Sequence, residues 1–299
     1  MRQKKYVVLK QRRKRTGILL CIPAFLVVAY AIYMLGYALV MSFNSNMGVL
    51  SGEYHFVGWE NYRKVLESEE MRGVVGNTLL YAAATIVTEL GIGLLVSAAL
   101  RRNIKGSQAA KVCIMLPMMM APIASGTIWR WMLTDRYGIV NHLLGLLKID
   151  GPMWLADKLA AKFAILFVSV WTAAPFVILV LLASISSVSD DIIEAARIDG
   201  AGGLQVYWNI IFPHLKSAIA VILLIRIPDA LKMYDIVYIL TDGGPANATQ
   251  VISFYVYNKG FTSLKFGEAA AASFLLFLFI AAFSVFFNSL VNRNKKKGR

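Results

Sequence analysis

The sequence is poor in the groups that carry enzyme chemistry. Only 16% of its 299 residues are charged, two are cysteine and three are histidine. His55, His142 and His214 stand far apart, and neither His-Glu-x-x-His nor Gly-x-Ser-x-Gly occurs. The usual zinc and serine-nucleophile signatures are therefore missing, and neither a catalytic residue nor a metal site is expected. No Gly-Lys dipeptide occurs anywhere, so the chain shows no P-loop of its own, which needs that lysine to reach phosphate. Cys21 and Cys113 both fall in apolar runs and are expected to be buried, inert thiols that say little about redox compartment.

Apolar residues are in excess. A hydrophobic share of 58% exceeds the roughly 45–50% of soluble domains. The chain is therefore expected to be an all-α integral membrane protein. Six runs approach the roughly 20 residues that a bilayer core requires: about Gly17 to Val40, Thr78 to Leu100, Val112 to Leu133, Phe163 to Ser187, Ser217 to Leu240 and Ala269 to Val291. The first follows a basic start, as in a secretory signal, but it outlasts the roughly 7–15 residues of a signal core and is expected to be retained.

The net charge of +14 does not point to nucleic acid, because the basic residues bunch at Lys4 to Arg15, Arg101 to Lys111 and Arg293 to Arg299, each beside an apolar run. Six spans place both termini on one side, and that side holds nineteen Lys and Arg against nine on the other. The positive-inside rule then makes both termini cytoplasmic in a multi-pass protein of the cell (plasma or inner) membrane, with the bilayer as its first partner. The chain divides into a basic tail (1–16), the first span with an outer interfacial segment (17–72), a core (73–291) and a second basic tail (292–299).

The outer segments Phe56 to Leu66, Tyr137 to Leu147 and Trp154-Leu155 mix aromatic and polar residues and suit short interfacial helices. Pro117 and Pro122 punctuate the third span and Pro228 the fifth, so kinks are expected there. The fifth run also carries Arg226, Asp229, Lys232 and Asp235 at three-residue steps. Each cation can pair with the next carboxylate, and each group would cost about 2.5–3.5 kcal/mol if exposed to lipid at mid-membrane. Two readings stay open: a self-paired ladder that fixes helix packing, or a path for a polar solute in which Asp229, Lys232 and Asp235 act with Tyr234 and Tyr238. Rings beside hydrogen-bonding groups suit sugars. Glu89 in the second span and Arg130 between Trp129 and Trp131 in the third are candidates of the same kind, and Arg130 also suits an interfacial anchor.

Between two apolar runs lies a polar cytoplasmic loop, 188–213. Ser189 can cap a helix starting at Asp190, with Asp190 and Asp191 complementing its dipole. That helix should stop at Gly200 or at Gly202-Gly203, and a second helix should run from about Leu204 into the fifth span. Ala195 and Ala196 permit close approach of a partner, while Glu194 and Asp199 offer charge to a basic groove.

Glu194-Ala195-Ala196, with Gly200 six positions after Glu194, Ile210 ten further on and Pro213 three after that, resembles the coupling-loop signature of ABC importer membrane subunits. Asp229-Ala230-Leu231-Lys232 with Tyr234-Asp235, the segment Leu240 to Thr249, and Phe56-Val57-Gly58 followed by Asn61-Tyr62 are similar to the carbohydrate-importer permeases, the maltose-type sugar permeases within that group. Phe212 departs from the leucine that usually precedes the proline, and Ser189 and Ser217 stand where further prolines are common. The resemblance implies a type I ABC importer permease fold of six transmembrane helices. It also implies a second, similar permease as partner, two cytoplasmic ATP-binding subunits that use ATP and magnesium, and an extracytoplasmic sugar-binding protein. No cofactor belongs to this chain itself. Glu194, Ala195, Ala196, Asp199, Gly200, Ile210 and Pro213 become the ATPase-coupling loop, and Gly243, Gly244, Pro245 and Asn247 an outer docking loop. A self-sufficient ion-coupled carrier is the rival reading; it leaves the loop motif unexplained, and no duplication relates the two halves. A six-span scaffold is disfavoured by the charges within the fifth run.

Overall fold

The computed structural model describes residues 2–45, 52, 55–101 and 106–297. Arg102 to Lys105 of the second basic segment, and Gly298 and Arg299 of the carboxyl-terminal tail, lie outside the described residues. Helices in chain order are α1 (Arg2–Ser42), α2 (Glu60–Glu67), α3 (Glu69–Arg101), α4 (Ser107–Met119), α5 (Pro122–Met132), α6 (Ile139–Leu146), α7 (Lys158–Ser186), α8 (Asp190–Ile198), α9 (Gly203–Leu231), α10 (Asp235–Thr241), α11 (Ile252–Tyr257) and α12 (Phe266–Lys297). No strand is formed among the described residues. Among the described residues five helices are long and apolar enough to cross a membrane, and α4 with α5 supplies a sixth span if the bent pair is taken together.

The chain forms two compact units. The first comprises Met1–Val65 with Lys259–Phe274. Here the end of α1 is tied to α2: Asn61 Nδ2 donates to Ser42 O and Asn44 O, both at 2.8 Å, and the Ser42 and Tyr62 hydroxyls lie 2.7 Å apart. The rings of Phe43, Trp59 and Tyr62 close over this junction at 5.1–5.4 Å. Glu60 bonds to Lys64 at 2.7 Å and holds its ammonium pKa above the usual value.

The second unit comprises Leu66–Asn258 with Leu275–Arg299. α7 is its centre, because the uncharged stretch after Lys162 allows Ile165, Val168, Val177, Leu181 and Ile185 to be fully buried. Asp157 caps α7 by accepting from Leu159 N and Ala160 N. α3 packs along it, and Gly93 makes the approach close: a Cβ there would lie 2.7 Å from Val177 Cγ1.

Three expectations change. The third span is two helices meeting at 100°. Pro122 holds the preceding Ala121 in extended backbone, φ −61° and ψ 138°, so a helix cannot pass through that residue. The fifth span ends at Leu231 rather than Leu240, and Asp235 and Tyr238 belong to the separate helix α10. Cys21 and Cys113 are exposed rather than buried.

Candidate functional site

The polar loop is a packed helix–turn–helix. Ser189 Oγ accepts from Asp191 N at the start of α8. At its other end Ala201 N donates to Ala196 O at 2.9 Å and Gly200 N to Arg197 O at 3.0 Å, the paired bonds of a Schellman cap. Gly200 has φ +85°, a left-handed conformation that glycine adopts without strain. One face of α8 is anchored: Ile193 is buried, and with half-buried Ala196 it packs on Ile185, Val188, Val206 and Ile211 at the facing ends of α7 and α9. The other face is open, with Glu194, Ala195 and Asp199 exposed. Ile198 on α8 is 86% exposed although it lies outside the spans. Ile192 on α8 and Leu204 at the start of α9 are also exposed, at 54% and 74%, so the loop presents apolar as well as charged groups.

α9 has one irregular turn, directly after its first α-helical turn Gly203–Val206. Phe212 N reaches back five residues to Tyr207 O, so Tyr207–Ile211 is π-helical. Pro213 follows, and a proline inside an α-helix lacks a donor and crowds the carbonyl four residues back. The wider turn accommodates it. Half-buried Ile210 packs in the same cluster as Ile193, while Pro213 is exposed.

Within the spans, the ionic groups are arranged across two helices rather than along one. Arg226 donates from Nε and Nη2 to both oxygens of Glu89 on α3, each at 2.9 Å, in bidentate geometry. Glu89 is 1% exposed. Arg226 also lies 3.5 Å from Asp229, and Lys232 3.5 Å from Asp229. Among the described residues no ion pair joins Lys232 to Asp235. The self-paired ladder is thus partial, and its first cation is held from outside its own helix.

A cavity of about 680 Å³ opens beside this array, within the roughly 300–1,000 Å³ of small-molecule sites. Its wall includes Thr172, Arg226, Asp229, Lys232, Tyr234 and Asp235. Of the remaining path candidates, Glu89 sits behind the wall on Arg226. Trp129 packs edge-on against Phe167 and Trp171 at 4.9 and 5.4 Å, Trp131 is exposed, and Arg130 Nη1 donates to Ile239 O at 2.9 Å. Tyr238 stacks on Tyr234 at 5.4 Å, and Tyr257 and Phe254 complete an aromatic cluster next to the cavity. Tyr257 and Phe254 were not legible as site residues, although the run Phe254-Tyr255-Val256-Tyr257 is aromatic enough to have been a signal.

The loop 242–250 is held from within. Thr249 Oγ1 donates to Gly244 O at 2.7 Å, and Gln250 Nε2 to Asn247 Oδ1 at 3.1 Å. A Cβ on Gly243 would meet Phe254 at 2.6 Å, and Pro245 lies in the turn between Gly244 and the left-handed Ala246 and Asn247. Asn77 on α3 anchors the loop by donating to Ala248 O and Gln250 O, both at 3.0 Å. Its polarity at the head of an apolar run was the available sequence signal. Asn77→Ala leaves two carbonyls without this donor and is expected to destabilise the loop by about 1–3 kcal/mol. Faster proteolytic cleavage within 242–250 in intact vesicles is the measurement.

A cavity bordered by charged residues of the candidate spans, with a short helix outside those spans that leaves one face open, fits a multi-pass membrane protein. The chain belongs to the family described as binding-protein-dependent transport system inner membrane component, which matches residues 89–297. It is 32% identical over 281 residues to the trehalose/maltose transport system permease protein MalF of Thermococcus litoralis, covering 93% of this chain and 94% of that one. It is 29% identical over 266 residues to the multiple sugar-binding transport system permease protein MsmF of Streptococcus mutans, covering 89% and 91%. In fold it is similar to a chain of a crystal structure of a bacterial ABC transporter involved in the import of the acidic polysaccharide alginate, with TM-score 0.84, 21% identity, and 98% and 99% coverage. The fold is that of a type I ABC importer permease.

Proposed function

We propose that this chain is the membrane-spanning permease subunit of an ATP-driven, binding-protein-dependent sugar importer. It pairs with a second permease to form the translocation path, and its two termini face the cytoplasm. The pair binds two cytoplasmic ATP-binding subunits, which use ATP and magnesium, and one of them docks on the exposed face of α8, with Glu194, Ala195, Asp199 and Gly200 nearest to it and Ile210 and Pro213 at the root of the lever. An extracytoplasmic sugar-binding protein delivers solute to the outer side, where Gly243, Gly244, Pro245 and Asn247 form the docking loop. The chain itself needs no cofactor.

The observation that carries this reading is the construction of the loop. A docking helix capped at both ends is fastened by Ile193 and Ala196 to the ends of two long helices, so a push on its open face moves spans rather than a flexible tether. A ligand shifts a conformational equilibrium only through contacts that differ between the states, and a docked helix supplies such contacts. The sugar assignment is supported by the named functions of the relatives and by the cavity, where hydroxyls of Thr172 and Tyr234 stand beside carboxylates and an aromatic face.

The test is uptake by the complete transporter in proteoliposomes, with ATP inside and binding protein outside, using maltose and trehalose as probes. Asp229→Asn and Tyr234→Ala are expected to lower uptake about tenfold while the complex with the ATPase still assembles. Loss of assembly would assign these residues to packing instead. Ion-driven uptake by this chain alone would overturn the reading.

A further inference from the structure

α3 makes charged contacts at two levels. At its C-terminal end Arg101 Nη2 donates to Val188 O at 3.2 Å and to Asp190 Oδ1 at 2.8 Å. Val188 lies in the short link after α7, and Asp190 is the first residue of α8. One guanidinium therefore grips the link and the docking helix together. Twelve residues earlier on α3, about 18 Å at the helical rise of about 1.5 Å per residue, Glu89 holds Arg226 at the cavity wall. Between these points α3 runs unbroken from Glu69 to Arg101 and is seated on α7 at Gly93.

The direct route from α8 to the cavity is mechanically softer. It runs through the turn at Gly200, the π-helical turn Tyr207–Ile211 and the donor-less Pro213 before it reaches Arg226. A straight α-helix with its hydrogen bonds in place transmits displacement better than one interrupted near its base.

We propose that Arg101 is a positioning residue that ties α8 to α3, so that movement of the docked helix carries α3 and, through Glu89, shifts Arg226 at the cavity. This rests on the coupling role proposed above for α8. The side chain of Asp190 is 88% exposed and that of Arg101 18%. Arg101 lines a groove with Ala98, Ile193 and Val206, which holds its guanidinium in place, and the exposed Asp190 can be replaced without disturbing a core. Basic residues ending a cytoplasmic span are normally accounted for by the membrane potential and anionic lipid; the bond to Val188 O gives this one a second task.

The experiment uses the assembled transporter with Cys21 and Cys113 replaced by serine and spin labels at the exposed positions Val87 on α3 and Phe163 on α7. In the otherwise unaltered chain, a nonhydrolysable ATP analogue is expected to change the label separation. With Arg101→Ala that change should disappear, and uptake per ATP hydrolysed should fall about three- to tenfold. Asp190→Ala should lower the ratio about twofold, and the double variant should be no worse than Arg101→Ala alone. A label shift that persists in Arg101→Ala, or additive losses in the double variant, overturns the proposal. Should Arg101→Ala fail to assemble, the same label shift and uptake ratio unaltered in Asp190→Ala overturn it. Transporters whose labels respond to nucleotide and to Arg101→Ala, but which move neither maltose nor trehalose, would sustain the clamp and remove the support for the sugar reading.

Discussion

Replacing Glu89 by alanine is expected to destabilise the permease by about 3–5 kcal/mol, because Arg226 would be left with its charge uncompensated inside a span. Glu89 is 1% exposed and accepts two 2.9 Å bonds from the Arg226 guanidinium. Asp229 cannot replace it: it lies 3.5 Å away, has a half-exposed side chain, and is shared with Lys232. The measurement is the thermal unfolding midpoint of the purified complex in detergent, together with the amount of folded chain recovered from membranes. Removing both charges, Glu89→Met with Arg226→Met, is expected to regain most of the lost stability, since an apolar pair of similar volume can replace a buried ion pair at little cost. If the double variant is as unstable as the single one, the pair does not hold these helices together by compensating charge. Uptake is a separate readout: the apolar pair should fold but transport poorly, because Arg226 borders the cavity.

Gly200→Pro is expected to abolish coupling without disturbing the spans. Gly200 stands at φ +85° and donates its N–H to Arg197 O at 3.0 Å. Proline fixes φ near −65° and has no N–H, so both features of the cap are lost. The C-terminal end of α8 would be redirected while Ile193 still anchored its first turns. ATP-driven uptake should fall at least about tenfold, with normal abundance of the chain in the membrane and little change in unfolding temperature. Gly200→Ala gives the graded comparison: an L-residue in left-handed geometry costs about 1–2 kcal/mol, and uptake should fall by less than in the proline variant. Glu194→Lys tests the contact face itself, because Glu194 is exposed and its replacement leaves the cap intact. Unimpaired uptake in Gly200→Pro and in Glu194→Lys would remove the coupling role from this loop.

Much of the architecture could be read from local pattern. Long apolar runs dictate helices because backbone groups in lipid must bond within their own segment. The ends of α8 were legible because capping is decided by neighbours in sequence: a serine before two aspartates, and a glycine where a left-handed residue is needed. The break at Met120–Ala121 was only half legible. Pro117 and Pro122 announced a kink, but a bend of 100° depends on what α5 packs against, and α5 lies so close to α10 that a Cβ on Gly126 would come within 3.1–3.3 Å of Ile239. Hydropathy overruns the end of the fifth span because it continues through Ile236, Val237, Ile239 and Leu240, which are apolar residues of the short helix α10 and not of a continued span.

By itself the sequence determined the membrane setting, the approximate places of the apolar helices, the caps of α8 and the family to which the chain belongs. The first three depend on composition or on residues a few positions apart, and the family on short motifs that are each local in sequence. The tertiary structure alone decided which charges meet. Arg226 could have paired with Asp229, three residues on, yet its bidentate partner is Glu89, 137 residues away, and Arg101 reaches Asp190 across 89. Spacing along one helix ranks only the partners on that helix. The strongest pairing goes to the carboxylate that packing presents in the right orientation and shields from water, and packing is a property of the whole fold.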